Sequence, residues 1–251
     1  MTGESFARTS LLLGPEALAR IERAFVVVVG LGAVGSFAVE ALARAGVGRL
    51  RLVDFDTVRA SDLNRQILAL RSTLGRPKVE VAAQRVADIH PACRVEPLGL
   101  FAHADTASRI LEGPPDVLVD CIDAVGPKVA LLLAAVRAQV AAVSSMGAAL
   151  RRDPGLVRTG DLSETRICPL AHAVRKRLHR EGVREGIRCV YSLERPADAV
   201  RPGDCGEQGL ERGRTRTRLG SLPTIPGIFG LAAAGSALEL LACLPPGFSR
   251  G

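Results

Sequence analysis

The fold is decided by FVVVV at residues 25–29 and the GLGAVG that follows at residues 30–35. The apolar run is mostly β-branched, which is typical of a strand buried on both faces of a sheet. Gly30, Gly32 and Gly35 have the spacing GxGxxG and lead into a helical segment. Such a turn brings backbone N–H groups and the positive end of a helix dipole to a phosphate. The stretch therefore predicts a nucleotide-binding βα unit, with a purely structural tight turn as the alternative.

The rest of the first half repeats the pattern of a strand followed by a helix. Further strands are predicted at residues 49–53, 94–98, 116–119 and 140–144, and helices at residues 15–23, 33–45, 78–89 and 128–139. Strands that alternate with helices pair in parallel through right-handed crossovers. The predicted fold class is α/β, a Rossmann-like, doubly wound and mostly parallel sheet.

The second half is expected to be less regular. The alternation stops near Ala149, and residues 166–218 are rich in Arg, Gly and Pro, so we expect a loop-rich, mobile, basic segment there. An apolar C-terminal helix is predicted at residues 227–241. The 251 residues fit one domain, with a nucleotide-binding core at 1–149 and a part that faces substrate or a dimer partner at 150–251.

Composition narrows the class of protein. The net charge is +7 and comes almost entirely from arginine, which fits either the codon bias of a GC-rich genome or a nucleic-acid-binding surface. Six cysteines without CxxC spacing and the lack of a leader predict a cytoplasmic protein with free thiols. The apolar stretch 225–244 contains Glu239 and several glycines, so we interpret it as a buried or dimer-facing helix rather than a membrane span.

A polar cluster follows the second predicted strand. Asp54 lies 24 residues after Gly30, where a dinucleotide fold places the carboxylate that binds ribose hydroxyls. An NAD enzyme would explain both residues equally well. The polar cluster that follows includes Asp56, residues 62–66 and Lys78, and hydride transfer gives no reason for it.

Five segments together resemble the adenylation domain shared by ThiF, MoeB, HesA and the ubiquitin-activating enzymes. They are GLGAVGS at 30–36, DFDTV at 54–58, NRQ at 64–66, GRPKVE at 75–80 and DCID at 120–123. The resemblance implies that ATP is the cofactor and that the glycine turn, Asp54 and Asp56 belong to its site. It further implies that Asn64, Arg65, Gln66 and Lys78 grip the triphosphate and that Asp123 serves Mg²⁺.

These residue types suit the implied chemistry. Attack of a carboxylate on the α-phosphorus builds negative charge on non-bridging oxygens, and Arg65, Lys78 and Mg²⁺ would stabilise it. Arg8 aligns with an arginine that family members lend to the neighbouring subunit, which implies a homodimer, although a solvated arginine is the alternative. The residues leave open whether Mg²⁺ suffices or a monovalent cation also binds.

The second half is similar to a dehydratase subfamily that cyclises threonylcarbamoyladenosine in tRNA. The similarity rests on DAVGPK at 123–128, PLA at 169–171, VRKRL at 174–178, CVYS at 189–192 and GSLP at 220–223. It departs at Cys168, where the subfamily often has aspartate. Cys189 aligns with a frequent cysteine, read either as a buried thiol or as a nucleophile. The paired cysteines that hold zinc in sulfur-carrier activators are absent from the sequence.

The resemblance implies that the anticodon stem-loop of tRNA is the partner. Two basic clusters could contact its phosphates, one formed by Arg175, Lys176, Arg177, Arg180, Arg184 and Arg188 and the other by Arg212, Arg214, Arg216 and Arg218. Solvated loops are the alternative. Three other functions stay open: activation of a ubiquitin-like sulfur carrier with sulfur-transfer partner proteins, an NAD-linked oxidoreductase, and a non-catalytic nucleotide-binding scaffold.

Overall fold

A computed structural model describes residues 2–198 and 219–243 of the chain. The strands are β1 (Phe25–Val29), β2 (Arg49–Val53), β3 (Arg94–Leu98), β4 (Val117–Asp120), β5 (Ala141–Ser145), β6 (Val157–Asp161) and β7 (Arg188–Ser192). The helices are α1 (Thr2–Ser5), α2 (Ala7–Leu13), α3 (Pro15–Arg23), α4 (Gly35–Ala45), α5 (Lys78–Ile89), α6 (Ala107–Ile110), α7 (Val125–Arg137), α8 (Pro169–Arg180) and α9 (Thr224–Ala242).

All seven strands form one sheet in the order β3-β2-β1-β4-β5-β7-β6. Every neighbouring pair is parallel except β6 and β7, which are antiparallel. The strand order reverses between β1 and β4. In open α/β sheets, ligands bind in the crevice that this reversal opens at the carboxyl ends of the strands. The α/β, mostly parallel fold is confirmed.

The core lies on both faces of the sheet. All five residues of β1 are buried, as its unbroken apolar run predicts. Helix α9 covers one face together with α4, and its Phe229, Ala233 and Ala237 have no exposed surface. The backbone of α9 passes close to α4, because a side chain at Gly230 would overlap the Val34 carbonyl. By length and composition α9 could cross a membrane, but 61% of its apolar window is buried against the rest of the protein.

The expectation of a loop-rich segment at 166–218 is wrong for its described part. Residues 169–180 form α8 and residues 188–192 form β7, which extends the sheet beside β5. Helix α8 buries Ala171, Val174 and Leu178, a spacing of three and four residues that places them on one face. Basic residues fill most of the other positions and obscure this short apolar period in the sequence. Residues 199–218, including the second basic cluster, lie outside the described residues.

The described residues on either side of the stretch 199–218 both hydrogen-bond to Leu150. The Leu150 N–H donates to the Gly220 carbonyl at 2.9 Å, and the Leu150 carbonyl accepts from the Ala197 N–H at 2.8 Å. Leu150 has a φ of 61°, a left-handed conformation that is uncommon for a residue with a branched side chain. This residue therefore holds both flanks of the stretch against the loop that follows β5.

Candidate nucleotide site

A cleft of about 840 Å³ opens at the carboxyl ends of the central strands. Its walls include the ends of β1, β2, β4 and β5 and the segment 219–221. This is the strand-order reversal at which a parallel sheet binds ligands, and the volume lies in the range of small-molecule sites. Of the predicted site residues, the cleft is lined by Gly30, Gly32, Asp54, Asp56, Asn64, Arg65, Gln66, Lys78 and Asp123.

The glycine turn requires glycine at its first and last positions. Gly30 has a φ of +87°, and a side chain there would press on the Cys121 carbonyl. A side chain at Gly35 would overlap the carbonyl of Gly30, so Gly35 shapes the turn from beneath rather than lining the cleft. Gly32 lines the cleft and has open space beside it. The turn thus exposes its backbone to whatever occupies the cleft.

Asp54 connects the end of β2 to this turn. Its Oδ2 accepts the Leu31 N–H at 2.6 Å and its Oδ1 accepts the Asp56 N–H at 2.8 Å. Burial raises the pKa of Asp54 above its ordinary value, while the nearby Lys78 ammonium and the two N–H donors act in the opposite direction. The carboxylate is therefore held in place by the backbone before any ligand arrives.

Asp62 is a residue of the cleft that we did not single out from the sequence. Its carboxylate lies 3.8 Å from Lys78 Nζ and 3.6 Å from an Arg65 Nη, and its Oδ1 accepts the Gln66 amide at 2.6 Å. Asp62 is buried and orients three of the predicted phosphate-binding side chains at once. The only sequence signal was its place at the start of the 62–66 cluster.

The side chains of Lys78 and Arg65 are both held in place by neighbouring groups. Lys78 is buried, and its Nζ lies 3.6 Å from Asp56 as well as close to Asp62. Arg65 donates to the Ser61 carbonyl at 2.7 Å and to the Asn64 Oδ1 at 2.9 Å. Both cations thus reach the cleft from a preset position, which suits binding of a polyanion.

Asp123 is exposed on the loop after β4 and lines the same cleft. The described residues contain no group of three or more His, Cys, Asp or Glu side chains that would hold a metal without help. Mg²⁺ fits this site all the same, because it commonly takes one or two protein carboxylates and fills the rest of its shell with phosphate oxygens and water.

Two phenylalanines that line the cleft were not among the site residues predicted from the sequence. Phe55 follows Asp54 directly, and its ring packs edge-to-face on that of Phe101 with centroids 4.9 Å apart. Both line the cleft, and Phe55 is 40% exposed. The aromatic pair forms an apolar wall next to the carboxylate expected to bind ribose. Sequence reasoning could not pair them, because they are 46 residues apart and follow different strands.

Arg8 is separate from this arrangement. It lies on α2, is exposed, and does not line the cleft of its own chain. The same short helix carries Leu11 and Leu12, which are 87% and 82% exposed. Two adjacent exposed leucines on one helix mark a candidate contact surface.

Three of the five cysteines in the described residues are buried. Cys93, Cys121, Cys168, Cys189 and Cys243 are all free. Cys189 has no exposed surface and burial raises its pKa, which favours the interpretation as a buried thiol over that as a nucleophile. Cys121 lines the cleft, yet burial and the neighbouring Asp120 raise its pKa to about 12.

The first basic cluster divides into two groups. Arg175 donates to Thr165, and Arg188 pairs with Glu239 at 2.8 Å, so both serve the fold. The remaining four members are exposed: Lys176, Arg177, Arg180 and Arg184. Helix α8, which carries three of them, begins beside the cleft, where Leu170 forms part of the wall. A basic helix face thus leads away from the candidate nucleotide site.

Comparison with known proteins agrees with this geometry. The chain matches the model of the ThiF family over residues 6–249. This protein belongs to the ThiF family. The tRNA threonylcarbamoyladenosine dehydratase of Bacillus subtilis (strain 168) is 37% identical over 233 residues, which cover 92% of this chain and 91% of the relative. The enzyme of the same name from Escherichia coli (strain K12) is 35% identical over 248 residues, with 94% and 92% covered.

A solved structure extends the similarity to three dimensions. The crystal structure of the E. coli tRNA N6-threonylcarbamoyladenosine dehydratase in complex with ATP matches this ThiF-family chain with a TM-score of 0.86 at 34% identity. The match covers 96% of this chain and 95% of the other. The family resemblance predicted from the motifs is confirmed over nearly the full length.

Proposed function

We propose that this protein is an ATP-dependent tRNA threonylcarbamoyladenosine dehydratase that works through carboxylate adenylation. The observation that carries the proposal is the convergence of Arg65, Lys78 and Asp123 on one cleft with the glycine turn. A site with two cations, a carboxylate and exposed turn amides suits a nucleoside triphosphate better than a nicotinamide cofactor. The similarity to dehydratases over nine tenths of the chain supports the same conclusion.

The first half-reaction takes place over the glycine turn. A carboxylate oxygen of the tRNA modification attacks the α-phosphorus of ATP, the bond to the bridging oxygen of the β-phosphate breaks, and pyrophosphate leaves. Arg65 and Lys78 stabilise the charge that grows on the phosphate oxygens. Asp123 would hold Mg²⁺, and the ion would supply positive charge for the phosphate oxygens of the leaving group.

The second half-reaction needs no nucleophile from the protein. A group within the same modification attacks the activated acyl carbon, AMP leaves, and a ring closes with net loss of one water. The buried state of Cys189 and the lack of a metal-binding cysteine group among the described residues suit this route. The tasks of the chain are to bind, orient and exclude water.

The nucleoside half of ATP has a matching wall in the cleft. Asp54 would accept the ribose hydroxyls, with Asp56 beside it. Phe55 and Phe101 would present a ring face to the adenine, because stacked aromatic contacts favour a flat heteroaromatic base. The volume left between Ser145 and Leu170 would receive the modified nucleoside.

We further propose that tRNA approaches along α8. Lys176, Arg177, Arg180 and Arg184 would contact phosphates of the anticodon stem-loop, since exposed cations bind a polyanion through release of its counterions. The location that we propose is the cytoplasm. The five described cysteines are free thiols, which suits a reducing compartment.

A homodimer is the oligomeric state that we propose. The exposed Leu11 and Leu12 would be covered by a second copy, and Arg8 on the same helix would reach the partner's phosphates. An arginine supplied in this way stabilises transferred phosphoryl charge.

The deciding experiment incubates the protein with ATP, Mg²⁺ and tRNA that carries threonylcarbamoyladenosine. AMP release, pyrophosphate release and the nucleoside mass are followed together, with and without added potassium chloride. We expect one AMP for each nucleoside that loses one water. Pyrophosphate release only with a ubiquitin-like carrier protein would replace the proposal by sulfur-carrier activation, and no pyrophosphate release with either substrate would remove both.

A further inference from the structure

A buried ion pair lies next to two segments that line the cleft. Lys128 of α7 and Asp120 at the end of β4 have no exposed side-chain surface, and Lys128 Nζ lies 2.5 Å from Asp120 Oδ2. No step of the proposed adenylation uses either group. Because a buried ion pair is often no more stabilising than an apolar pair of the same shape, fold stability alone does not explain it.

The Lys128 ammonium is enclosed by oxygen atoms from two neighbouring strands. Besides the Asp120 carboxylate, it donates to Ser144 Oγ at 3.1 Å and to the Ser145 carbonyl at 2.9 Å. The Ser144 hydroxyl in turn donates to Asp120 Oδ2 at 2.6 Å. A carboxylate, a hydroxyl and a carbonyl are hard oxygen ligands of the kind that bind small cations. All three ammonium donors are used, so the side chain fills a cation cage between β4 and β5.

Both walls of this cage continue directly into the cleft. The other oxygen of Asp120, Oδ1, accepts the Ile122 N–H at 3.0 Å and so fixes the loop that carries Asp123. On the neighbouring strand, Ser145 is the last residue of β5 and lines the cleft itself. One ammonium therefore contacts both the strand that leads into the loop of the proposed Mg²⁺ ligand and the end of the neighbouring strand β5.

We propose that Lys128 is a positioning residue whose ammonium acts as a built-in cation. It sets the separation between the Asp123 loop and the end of β5, and thereby the width of the triphosphate half of the cleft. Without it, the Asp120 carboxylate loses its counterion, and the ends of β4 and β5 keep only their backbone pairing at Asp120 and Ser144. Nucleotide affinity and adenylation then both fall. The turnover part of this inference rests on the proposed function, whereas the affinity part does not.

The test is chemical rescue of Lys128→Ala. ATP affinity by calorimetry and AMP formation are measured in ammonium, methylammonium or ethylammonium chloride, with tetramethylammonium chloride at the same ionic strength as the control for size. We expect about a tenfold loss of ATP affinity and a larger loss of kcat/KM, with several-fold recovery only in the small amines. Affinity within twofold of the wild type, or a loss that no amine reverses, would overturn the proposal. Arg137→Ala, an exposed change on the same helix, serves as the matched control.

A charge-free variant covers the case in which the alanine variant does not fold. Asp120→Asn combined with Lys128→Met keeps the shape of the pair and removes both charges, which restores stability where a pair is only structural. A positioning role predicts a wild-type unfolding midpoint with ATP affinity still reduced. If the unfolding midpoint and the ATP affinity both return to wild-type values, or if neither variant folds, the ion pair has only a structural role and the proposal is overturned. If the wild type forms no AMP, the proposed function fails, while the dependence of ATP affinity on amines still decides the role of Lys128.

Discussion

Asp54 and Leu31 are joined by a hydrogen bond of 2.6 Å from the Leu31 N–H to the Asp54 carboxylate. The residue predicted to bind ribose therefore also fixes the backbone of the phosphate-binding turn. One side chain therefore serves both the predicted ribose site and the phosphate-binding turn. A change at this position should cost more than the loss of a ribose contact alone.

Asp54→Asn and Asp54→Ala separate these two roles. Asn keeps one acceptor for the Leu31 N–H, whereas Ala removes both acceptors and frees the turn. We expect roughly tenfold weaker ATP binding for Asn and a further tenfold loss for Ala, as each buried hydrogen bond to a charged group is worth about 1.5–3 kcal/mol. Calorimetric titration with ATP would measure the affinity of each variant. Equal affinities for the two variants would contradict the prediction.

Arg65→Ala and Asp123→Ala should each abolish turnover while the fold is kept, because both residues lie at the cleft rather than in the core. We expect rates of AMP formation to fall by about 10²–10³-fold, the usual effect of losing a group that stabilises transition-state charge. Arg71→Ala, an exposed arginine outside the cleft, is the matched control. Retained activity in either site variant, with unchanged circular dichroism, would refute the assigned role.

Phe55→Ala should weaken ATP binding, whereas Phe55→Leu should weaken it less because the apolar surface is partly kept. A stacked aromatic contact beyond its buried area is worth about 0.5–1.5 kcal/mol, so we expect a loss of about fivefold for Ala. Competition of ATP with GTP and CTP measures whether the pair of Phe55 and Phe101 also selects adenine over other bases. Unchanged affinity in Phe55→Ala would place the adenine elsewhere.

Glu40 links the helix that follows the glycine turn to the helix that begins at Lys78. It accepts hydrogen bonds from Arg85 and Arg44, which outweigh the effect of burial and hold its pKa below the ordinary value. A carboxyl with a lowered pKa stabilises the fold above the unfolded-state pKa, and this stabilisation is lost as the pH falls through the folded-state pKa. Glu40→Gln should cost about 1–2 kcal/mol in urea unfolding at pH 7. The difference from wild type should vanish well below pH 4.5, and a difference that persists there would contradict the linkage.

Mixing of subunits tests the role of Arg8. Arg8→Ala and Arg65→Ala chains should each be inactive alone, but a mixed dimer would contain one intact site built from both chains. Random mixing should restore about a quarter of wild-type activity, since half the dimers are mixed and each has one working site of two. Leu12→Glu should produce monomers in analytical ultracentrifugation. If mixing the Arg8→Ala and Arg65→Ala chains restores no activity, Arg8 does not act across subunits.

The local parts of the fold could be predicted from sequence. The βα turn at Gly30 and the strand at 25–29 are specified by neighbours in the chain, and the structure has them at the predicted positions. Helix α8 was missed because its apolar period spans only Ala171, Val174 and Leu178 among many basic residues. A short amphipathic helix depends on the surface it covers, and the sequence does not display that surface.

The candidate site divides in the same way. The motifs identified seven of the polar and charged residues that line the cleft, because these residues lie in the segments that follow β2 and β4 and strand ends meet at one edge of the sheet. Asp62 and the pair of Phe55 with Phe101 escaped notice, since their importance lies in contacts between distant segments. The position of Arg8 relative to a partner depends on a second chain and stays a prediction.

Leu150 has a consequence for the length of the stretch that it brackets. Its two backbone bonds hold Ala197 and Gly220 side by side, so the polypeptide between them begins and ends at neighbouring points of a finished scaffold. The entropy of closing such a loop rises only with the logarithm of its length. A change in the number of residues between these two anchors should therefore alter the free energy of folding only slightly.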